Sequence, residues 1–164
     1  MLQSRKRATW NKTELMPDRS LLIKNMIKTS RQTGKLNISS QQLDSLPCLI
    51  FEEEPETKEV SFDNSSCWWE AIDLTRLVAA DNMIKSIDNR IGNLGALVSV
   101  DLHGNQIDAI PISLMNLENL QILNLSYNNI AEFPSELCGL NLCDLQLQNN
   151  QLTDLPNHFG FLIN

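Results

Sequence analysis

A histidine and an aspartate two positions apart, His103 and Asp101, are the pair best suited by type and spacing to acid–base chemistry. Residues two apart in a strand share a face, so the carboxylate could orient the imidazole. Ser99 and Ser126 are only approximate neighbours for a nucleophile's role. An open sheet surface does not exclude water, and two side chains are too few to hold a metal. We therefore predict that the chain is not an enzyme, with no catalytic residue, metal or cofactor.

Asparagine recurs along the chain in steps of 23, 23 and 22 residues, at Asn82, Asn105, Asn128 and Asn150. Each asparagine lies in one aliphatic frame, clearest in Leu120-x-x-Leu123-x-Leu125-x-x-Asn128-x-Ile130-x-x-Phe133-Pro134. An amide side chain donates and accepts hydrogen bonds, so it can satisfy backbone groups that a sharp turn leaves unpaired. A buried polar residue is tolerated when it is bonded in this way. We predict that these four residues form a structural asparagine ladder.

The frame around each asparagine predicts the elements that hold it. Leu-x-x-Leu-x-Leu alternates as a short strand, and leucines at every third position in the return segment favour a short 3₁₀ helix. This is the leucine-rich repeat pattern, in which one coil cannot bury its apolar face alone and must stack on its neighbours. The predicted class is α/β: a right-handed, curved leucine-rich repeat solenoid, with a parallel sheet on its concave face and an N-terminal capping helix.

Five segments follow from the spacing. Gln41 replaces asparagine in a degenerate first repeat, and the step from Gln41 to Asn82 is 41 residues, which indicates an insertion. The acidic insertion contains Trp68 and Trp69, which we expect to pack on the outer flank rather than to bind a partner. The predicted segments are a flexible basic N-terminus 1–19, a capping helix 20–35, the degenerate repeat 36–47, the insertion 48–73, and four regular repeats 74–164 without a C-terminal cap.

Charge is divided along the chain, whose 164 residues carry a formal net charge of −7. Residues 1–36 hold nine Lys or Arg against two acids, +7, and the remainder holds four against eighteen, −14. An acidic repeat body argues against nucleic acid as the main partner. The basic N-terminus could still contact an anionic surface. No secretory signal or apolar run long enough to cross a membrane is evident, and the four cysteines lack metal-ligand spacing. We predict a cytoplasmic protein, with a nuclear location as the alternative, and no nucleic-acid or membrane partner.

Three motifs in order are more specific than the repeats. GKLNISSQQLDSLP follows a basic helical pattern, the acidic insertion comes next, and WWEAIDLTRL opens the regular repeats. From Ser20 to Asn164 the chain resembles an N-terminal portion of the leucine-rich repeat-containing protein 40 family. The resemblance implies an intracellular scaffold for protein interaction and supplies no catalytic residue. Members of that family are longer, so we expect a truncated product, a fragment or an incomplete gene model.

The concave face is the predicted site, because its variable side chains stand in columns on a rigid sheet. The columns are polar and of mixed charge, which suits a protein or peptide surface better than a deep pocket. Tyr127 and Arg76 are the preferred anchors. The alternative is an incomplete repeat fragment that self-associates weakly through its uncapped C-terminal turn instead of remaining a monomer. The predicted partner-binding residues are Arg76, Ser99, Asp101, His103, Ile122, Asn124, Tyr127, Asp144, Gln146 and Gln148.

Overall fold

The computed structural model describes residues 19–52, 72–157 and 159. Helix α1 (Arg19–Thr33) precedes one sheet whose five strands lie side by side in chain order. All neighbouring strands are parallel, as expected when each strand is followed by a return segment that brings the chain back to the same edge. The strands are β1 (Lys35–Asn37), β2 (Arg76–Val78), β3 (Ser99–Asp101), β4 (Ile122–Asn124) and β5 (Asp144–Gln146).

Successive coils stack without slip, so equivalent strand residues form columns. We call the coil of β1 the first coil, those of β2 to β4 the inner coils, and that of β5 the last coil. The middle strand position points into the core, and there Leu77, Val100 and Leu123 are fully buried. The first positions, which alternate to the opposite face of the sheet, form the column Lys35, Arg76, Ser99, Ile122 and Asp144. The third positions form the column Asn37, Val78, Asp101, Asn124 and Gln146.

The return segments contain short 3₁₀ helices, as the leucines at every third position predict. In the helix Ile112–Asn116 and the turn after it, Leu114, Leu117 and Leu120 are buried. Three consecutive leucines at this interval face inward because a 3₁₀ helix has three residues per turn. The described residues hold three other 3₁₀ helices, Cys48–Ile50, Asn89–Asn93 and Ser135–Gly139.

Helix α1 covers the apolar flank of the first coil. Ile23 and Ile27, four residues apart, are buried against the sheet core, and the Ser30 hydroxyl donates to the carbonyl of Ile27 at 2.7 Å. Gly34 ends the helix with φ of 66°, a conformation that side chains other than glycine adopt at a cost. Lys35, which the sequence places in the capping helix, therefore lies in β1 instead.

The chain between β1 and β2 is fastened by two arginines. Arg31 donates to the carbonyl of Glu52 at 2.7 Å, and its own carbonyl accepts from the amide of Ile72 at 2.7 Å. The residues on either side of the long connection thus meet at the end of α1. Arg90 of the next coil lies over the Phe51 ring, with Cζ 5.0 Å from the ring centroid. Strands β1 and β2 are therefore paired although the connection between them makes this repeat nearly twice the usual length.

Several predicted segments lie outside the described residues. These are most of the basic N-terminus, the greater part of the acidic insertion with Trp68 and Trp69, and the final residues after Phe159. Within the part of the chain that the structure describes, no helix is long and apolar enough to cross a lipid bilayer.

Candidate functional site

The asparagine ladder joins adjacent coils through hydrogen bonds between its buried side chains and the backbone. Asn105 is buried, its Oδ1 accepts from the amide of Ile84 at 3.1 Å, and its Nδ2 donates to the carbonyls of Ala79 and Leu102 at 3.0 and 2.9 Å. A third bond reaches the carbonyl of His103 at 3.2 Å. Two of these partners, Ile84 and Ala79, belong to the preceding coil. The side chain thus joins two coils by meeting backbone groups that the turn has left without ladder partners.

The same arrangement repeats at the other predicted ladder positions. Asn128 accepts from the amide of Ile107 at 3.0 Å, and Asn150 accepts from that of Ile130 at 3.1 Å. Asn82 accepts from two amides of the first coil, those of Gln41 and Leu43, both at 3.0 Å. Every ladder asparagine thus accepts a hydrogen bond from a backbone amide of the preceding coil.

Gln41 occupies the ladder position of the first coil and bonds differently. Its Nε2 donates to the carbonyl of Ser39, within its own turn, at 3.0 Å. The described chain places helix α1, and no further strand, on this side of the coil. Among the described residues, an asparagine at this position would have no preceding coil to hydrogen-bond. The longer side chain of Gln41 is therefore accommodated there.

The chain leaves each strand through a left-handed residue that directly precedes the ladder position. These residues have φ between 53° and 65°, and they are Ser40, Asp81, Gly104, Tyr127 and Asn149. The backbone bonds of the sheet continue through this turn: the amide of Asp81 donates to the carbonyl of His103, and that of Gly104 to Ser126. We call these five residues the turn column. Because the conformation recurs in every coil, it is a property of the repeat, and the strained φ of Tyr127 is not by itself a sign of function.

The predicted partner-binding side chains do stand together on the sheet face opposite the core. None of the ten is buried, and Tyr127 and Ile122 are 60% and 41% exposed. Arg76, Asp144 and Gln148 are also exposed, and the other five are half-buried. Whether a partner contacts them remains a prediction, but the fold brings all ten to one surface.

His103 is held between two carboxylates. Its Nδ1 donates to Asp101 Oδ1 at 2.8 Å, and its Nε2 lies 3.9 Å from Asp81 Oδ1. Among the described residues, no serine hydroxyl hydrogen-bonds to either ring nitrogen, and no group of three metal-ligating side chains converges. The Asp101 carboxylate also accepts from the backbone amide of His103 at 3.2 Å. The pair is therefore a rigid polar surface feature without a nucleophile beside it.

Asp81 shares this surface with the predicted partner-binding residues. It stands beside His103 with its side chain 64% exposed, yet it is absent from the predicted set. The signal for it was available, because Asp81 directly precedes Asn82 just as Tyr127 precedes Asn128. Ala80 and Ser126, by contrast, are buried in the turns that follow their strands, so neither offers a side chain to a partner.

The described cysteines Cys48, Cys138 and Cys143 are free thiols. Cys138 is half-buried against the core, as expected for a packing residue, whereas Cys143 is exposed. Burial raises the pKa of the Cys138 thiol, and the nearby Glu136 carboxylate raises it further. The thiol is therefore held in its less reactive protonated form.

Comparison with known proteins supports the leucine-rich repeat class. Residues 95–152 match the family model described as leucine rich repeat. The chain is 29% identical over 140 residues to mouse leucine-rich repeat and calponin homology domain-containing protein 1, covering 85% of this chain and 18% of that protein. The human protein of that name matches at the same identity, with 17% of its length covered. Bovine lumican is 32% identical over 80 residues, 44% of this chain and 23% of lumican. The chain thus spans about a fifth of the length of these relatives.

Solved structures share the fold. A chain in the crystal structure of the BIR3–SERK2 complex from Arabidopsis thaliana superposes with a TM-score of 0.58 at 24% identity, covering 76% of this chain and 61% of that one. A leucine-rich repeat protein of Leptospira interrogans gives a TM-score of 0.56 at 20% identity, with coverages of 85% and 43%. The fold is a leucine-rich repeat solenoid with an N-terminal cap. None of these findings singles out the leucine-rich repeat-containing protein 40 family, so that resemblance remains a prediction.

Proposed function

We propose that this protein is a binding module that holds another protein on the concave face of its sheet. One observation carries the proposal: the charged side chains on that face are not neutralised by one another. In the described coils, Arg76 and Lys35 form no ion pair, and the three carboxylates of the face, Asp81, Asp101 and Asp144, meet no lysine or arginine. Uncompensated charges on a rigid surface are available for complementary groups of a partner.

The stiffness of the face supports the same function. The side chains of β2, β3 and β4 project from strands that are bonded on both sides, and a ladder of buried asparagines lies beneath them. A partner that binds such a surface loses its own freedom but orders little of this protein, which lowers the cost of association. Tyr127 and Ile122 add exposed apolar area beside the polar groups. This mixture is typical of the residues that anchor protein interfaces.

The comparisons are consistent with this class of function. Leucine-rich repeat domains generally mediate protein–protein interaction, and one superposed neighbour comes from the crystal structure of a complex. The cytoplasmic location remains a prediction.

The proposal is tested by changing one face at a time. In the variant Asp101→Arg with Tyr127→Ala, we expect capture of cellular proteins by the purified chain to fall at least tenfold. Captured proteins are quantified by mass spectrometry against the unchanged chain. The matched control is Glu136→Arg with Met115→Ala, which reverses one charge and truncates one exposed apolar side chain in the return segments.

The control variant should retain the captured proteins. Equal losses from both variants would mean that the chain binds through no particular face and would overturn the proposal. Retention in both variants would place the interaction elsewhere in the chain, with the same result.

Self-association through the last coil is the second candidate, and one observation favours it. Leu145, Leu147 and Leu152 are only partly buried, and Leu155 is 52% exposed, whereas the equivalent positions of the β4 coil, Leu123, Leu125, Ile130 and Phe133, are buried. Light scattering separates the two candidates. A dimer that Leu155→Asp dissociates, together with unchanged capture by the concave variant, would favour self-association.

A further inference from the structure

A groove of about 320 Å³ lies between helix α1 and strand β1, on the side of the sheet opposite the core. The two outward-facing side chains of β1, Lys35 and Asn37, line one side of it. Residues three and four apart share a helix face, and such a face of α1 lines the other side. Its members are Leu22, Asn25, Met26 and Thr29. The groove therefore extends the concave face beyond its first strand and onto the helix.

The helix side of the groove supplies apolar surface. Met26 is half-buried and packs against the core, so its position is fixed, and Leu22 is 39% exposed. The hydroxyl of Thr29 already donates to the carbonyl of Asn25 at 3.0 Å. The volume is at the lower end of the range of small-molecule pockets, about 300–1,000 Å³. An open groove of this size suits one aliphatic side chain of a larger partner better than a whole small molecule.

The sheet side of the groove offers hydrogen-bond donors. Lys35 and the neighbouring Arg76 form no ion pair within the described chain. Asn37 uses its Oδ1 to accept from the amide of Ser39 at 3.0 Å, whereas its Nδ2 donates to no described group. An ammonium, a guanidinium and an amide nitrogen all donate and none of them accepts. A ligand that satisfies them must present acceptor oxygens.

The two cations stand side by side without a counterion. Lys35 and Arg76 are register partners in β1 and β2, and both are exposed. Neighbouring strands lie about 4.8 Å apart, and like charges placed opposite each other repel. Residues 19–43, which include α1 and β1, contain five Lys or Arg and no Asp or Glu. A carboxylate brought by a partner would therefore relieve a repulsion that the free protein carries.

We infer that the groove between α1 and β1 receives an aliphatic side chain of the protein bound on the concave face, and that a carboxylate two residues away in the same segment bonds Lys35 and Arg76. The inference rests on the proposed function and specifies the chemistry of the partner. Side chains two apart in an extended segment project the same way, about 7 Å apart, which spans the step from the groove to the next strand. Hydrogen bonds between a carboxylate and a cation are among the stronger ones.

The experiment compares three pools of dodecapeptides on the immobilised chain. Their flanks are randomised over uncharged residues, and their fixed centres are Leu-x-Glu, Leu-x-Gln and Ala-x-Glu. Glutamine has the shape of glutamate without its charge, and alanine removes the aliphatic group. We expect the Leu-x-Glu pool to be retained about fivefold more strongly than either of the others, because each of these lacks one of the two contacts.

Two variants should remove one preference each. Lys35→Gln with Arg76→Gln should abolish the preference for glutamate over glutamine and leave the preference for leucine over alanine. Leu22→Gln, at an exposed position of the helix, should have the opposite effect. Misfolding would remove both preferences together, so opposite losses in the two variants identify the two halves of the site.

The control variant removes two cations elsewhere. Lys28→Gln with Lys85→Gln makes the same change in net charge at exposed positions that do not line the groove. It should keep both preferences. A preference for glutamate lost equally in this control would reflect net charge alone and would overturn the inference.

The remaining outcomes separate this inference from the proposed function. Equal retention of the three pools, or retention of none, overturns the inference. Retention of phosphatidylserine vesicles that Lys35→Gln with Arg76→Gln abolishes, without a preference among the pools, would assign the cations to an anionic membrane and would also overturn it. The proposed function is decided independently by Asp101→Arg with Tyr127→Ala, which changes neither the groove nor its two cations.

Discussion

The inner coils and the first coil are joined to their neighbours by different contacts. In an inner coil, Asn105 ties its own turn to the backbone of the coil before it, and the return segments touch backbone to backbone. In the first coil, Gln41 bonds within its own turn, helix α1 covers the apolar flank, and the return segment is held by the Arg90 side chain over Phe51. The difference teaches that the asparagine is required only where a preceding coil exists to receive its bonds.

The largest change in the free energy of unfolding is expected when a ladder side chain is removed. Asn105→Ala leaves a buried amide and up to three carbonyl oxygens without this partner, and each buried unpaired group costs about 1–3 kcal/mol. We expect the free energy of unfolding to fall by about 3–5 kcal/mol for Asn105→Ala and by under about 1 kcal/mol for Gln41→Ala. Urea unfolding followed by circular dichroism measures both. Equal losses would mean that the first coil depends on its amide as the inner coils do.

A smaller effect is expected where the inner return segments touch. A Cβ atom on Gly92 would lie 2.5 Å from the carbonyl oxygen of Ser113, which is backbone and cannot rotate away. Gly92→Ala should therefore lower the free energy of unfolding by about 1–3 kcal/mol by pushing two 3₁₀ helices apart. Gly139→Ala is the matched control, because nothing lies within 4 Å of its added Cβ.

The control should stay within about 0.5 kcal/mol of the unchanged chain. Thermal or urea unfolding of the two variants side by side gives the difference. If Gly92→Ala were as harmless as Gly139→Ala, the inner return segments would be as loosely joined as the first, and the comparison would fail.

The smallest effect concerns the side-chain contact that holds the first return segment. Asp88 bonds the Arg90 guanidinium with two oxygens, at 2.7 and 3.1 Å, and thereby orients it over Phe51. These side-chain bonds, with the bond from the Arg90 amide, lower the pKa of the Asp88 carboxyl. A lowered pKa means that the stabilisation is present above the ordinary carboxyl range and is lost as pH falls through the folded-state value.

Acidification from neutral pH to below about pH 4 should therefore weaken this contact. We expect a small part of the acid sensitivity of unfolding to disappear in Asp88→Asn. When Arg90→Gln is already present, Asp88→Asn should have a smaller further effect, because only the bond from the backbone amide of residue 90 remains. Urea unfolding between pH 3 and pH 7 measures the difference. The same acid sensitivity in both backgrounds would show that Asp88 acts independently of Arg90.

Much of the fold could be predicted because the repeat ties each residue to a role. The frame around Asn128 predicts the strands, their register and the columns of the sheet, since a slip of one residue would move Leu123 from the core to the surface. The 3₁₀ return helices followed from leucine spacing. The predicted capping helix extended to residue 35, whereas α1 ends before Gly34. The left-handed conformation of Gly34 ends the helix and places Lys35 in β1.

The features that could not be predicted are contacts between residues far apart in the sequence. Arg31 meets Glu52 and Ile72, and Arg90 meets Phe51, although none of the five belongs to the repeat frame. The place of Asp81 beside His103 is a related case, because it is a contact between side chains of adjacent coils. Periodicity describes what coils share, whereas these contacts arise where one coil differs from the next.

The fastening at Arg31 makes the connection between β1 and β2 a natural point for grafting. Glu52 and Ile72 are both hydrogen-bonded to this one residue, so the distance between them is set by the helix end and not by the length of chain that joins them. The entropic cost of a longer connection grows only slowly with its length. A fluorescent reporter or an affinity tag placed between these two residues would leave the stacked coils and the columns of the sheet in register.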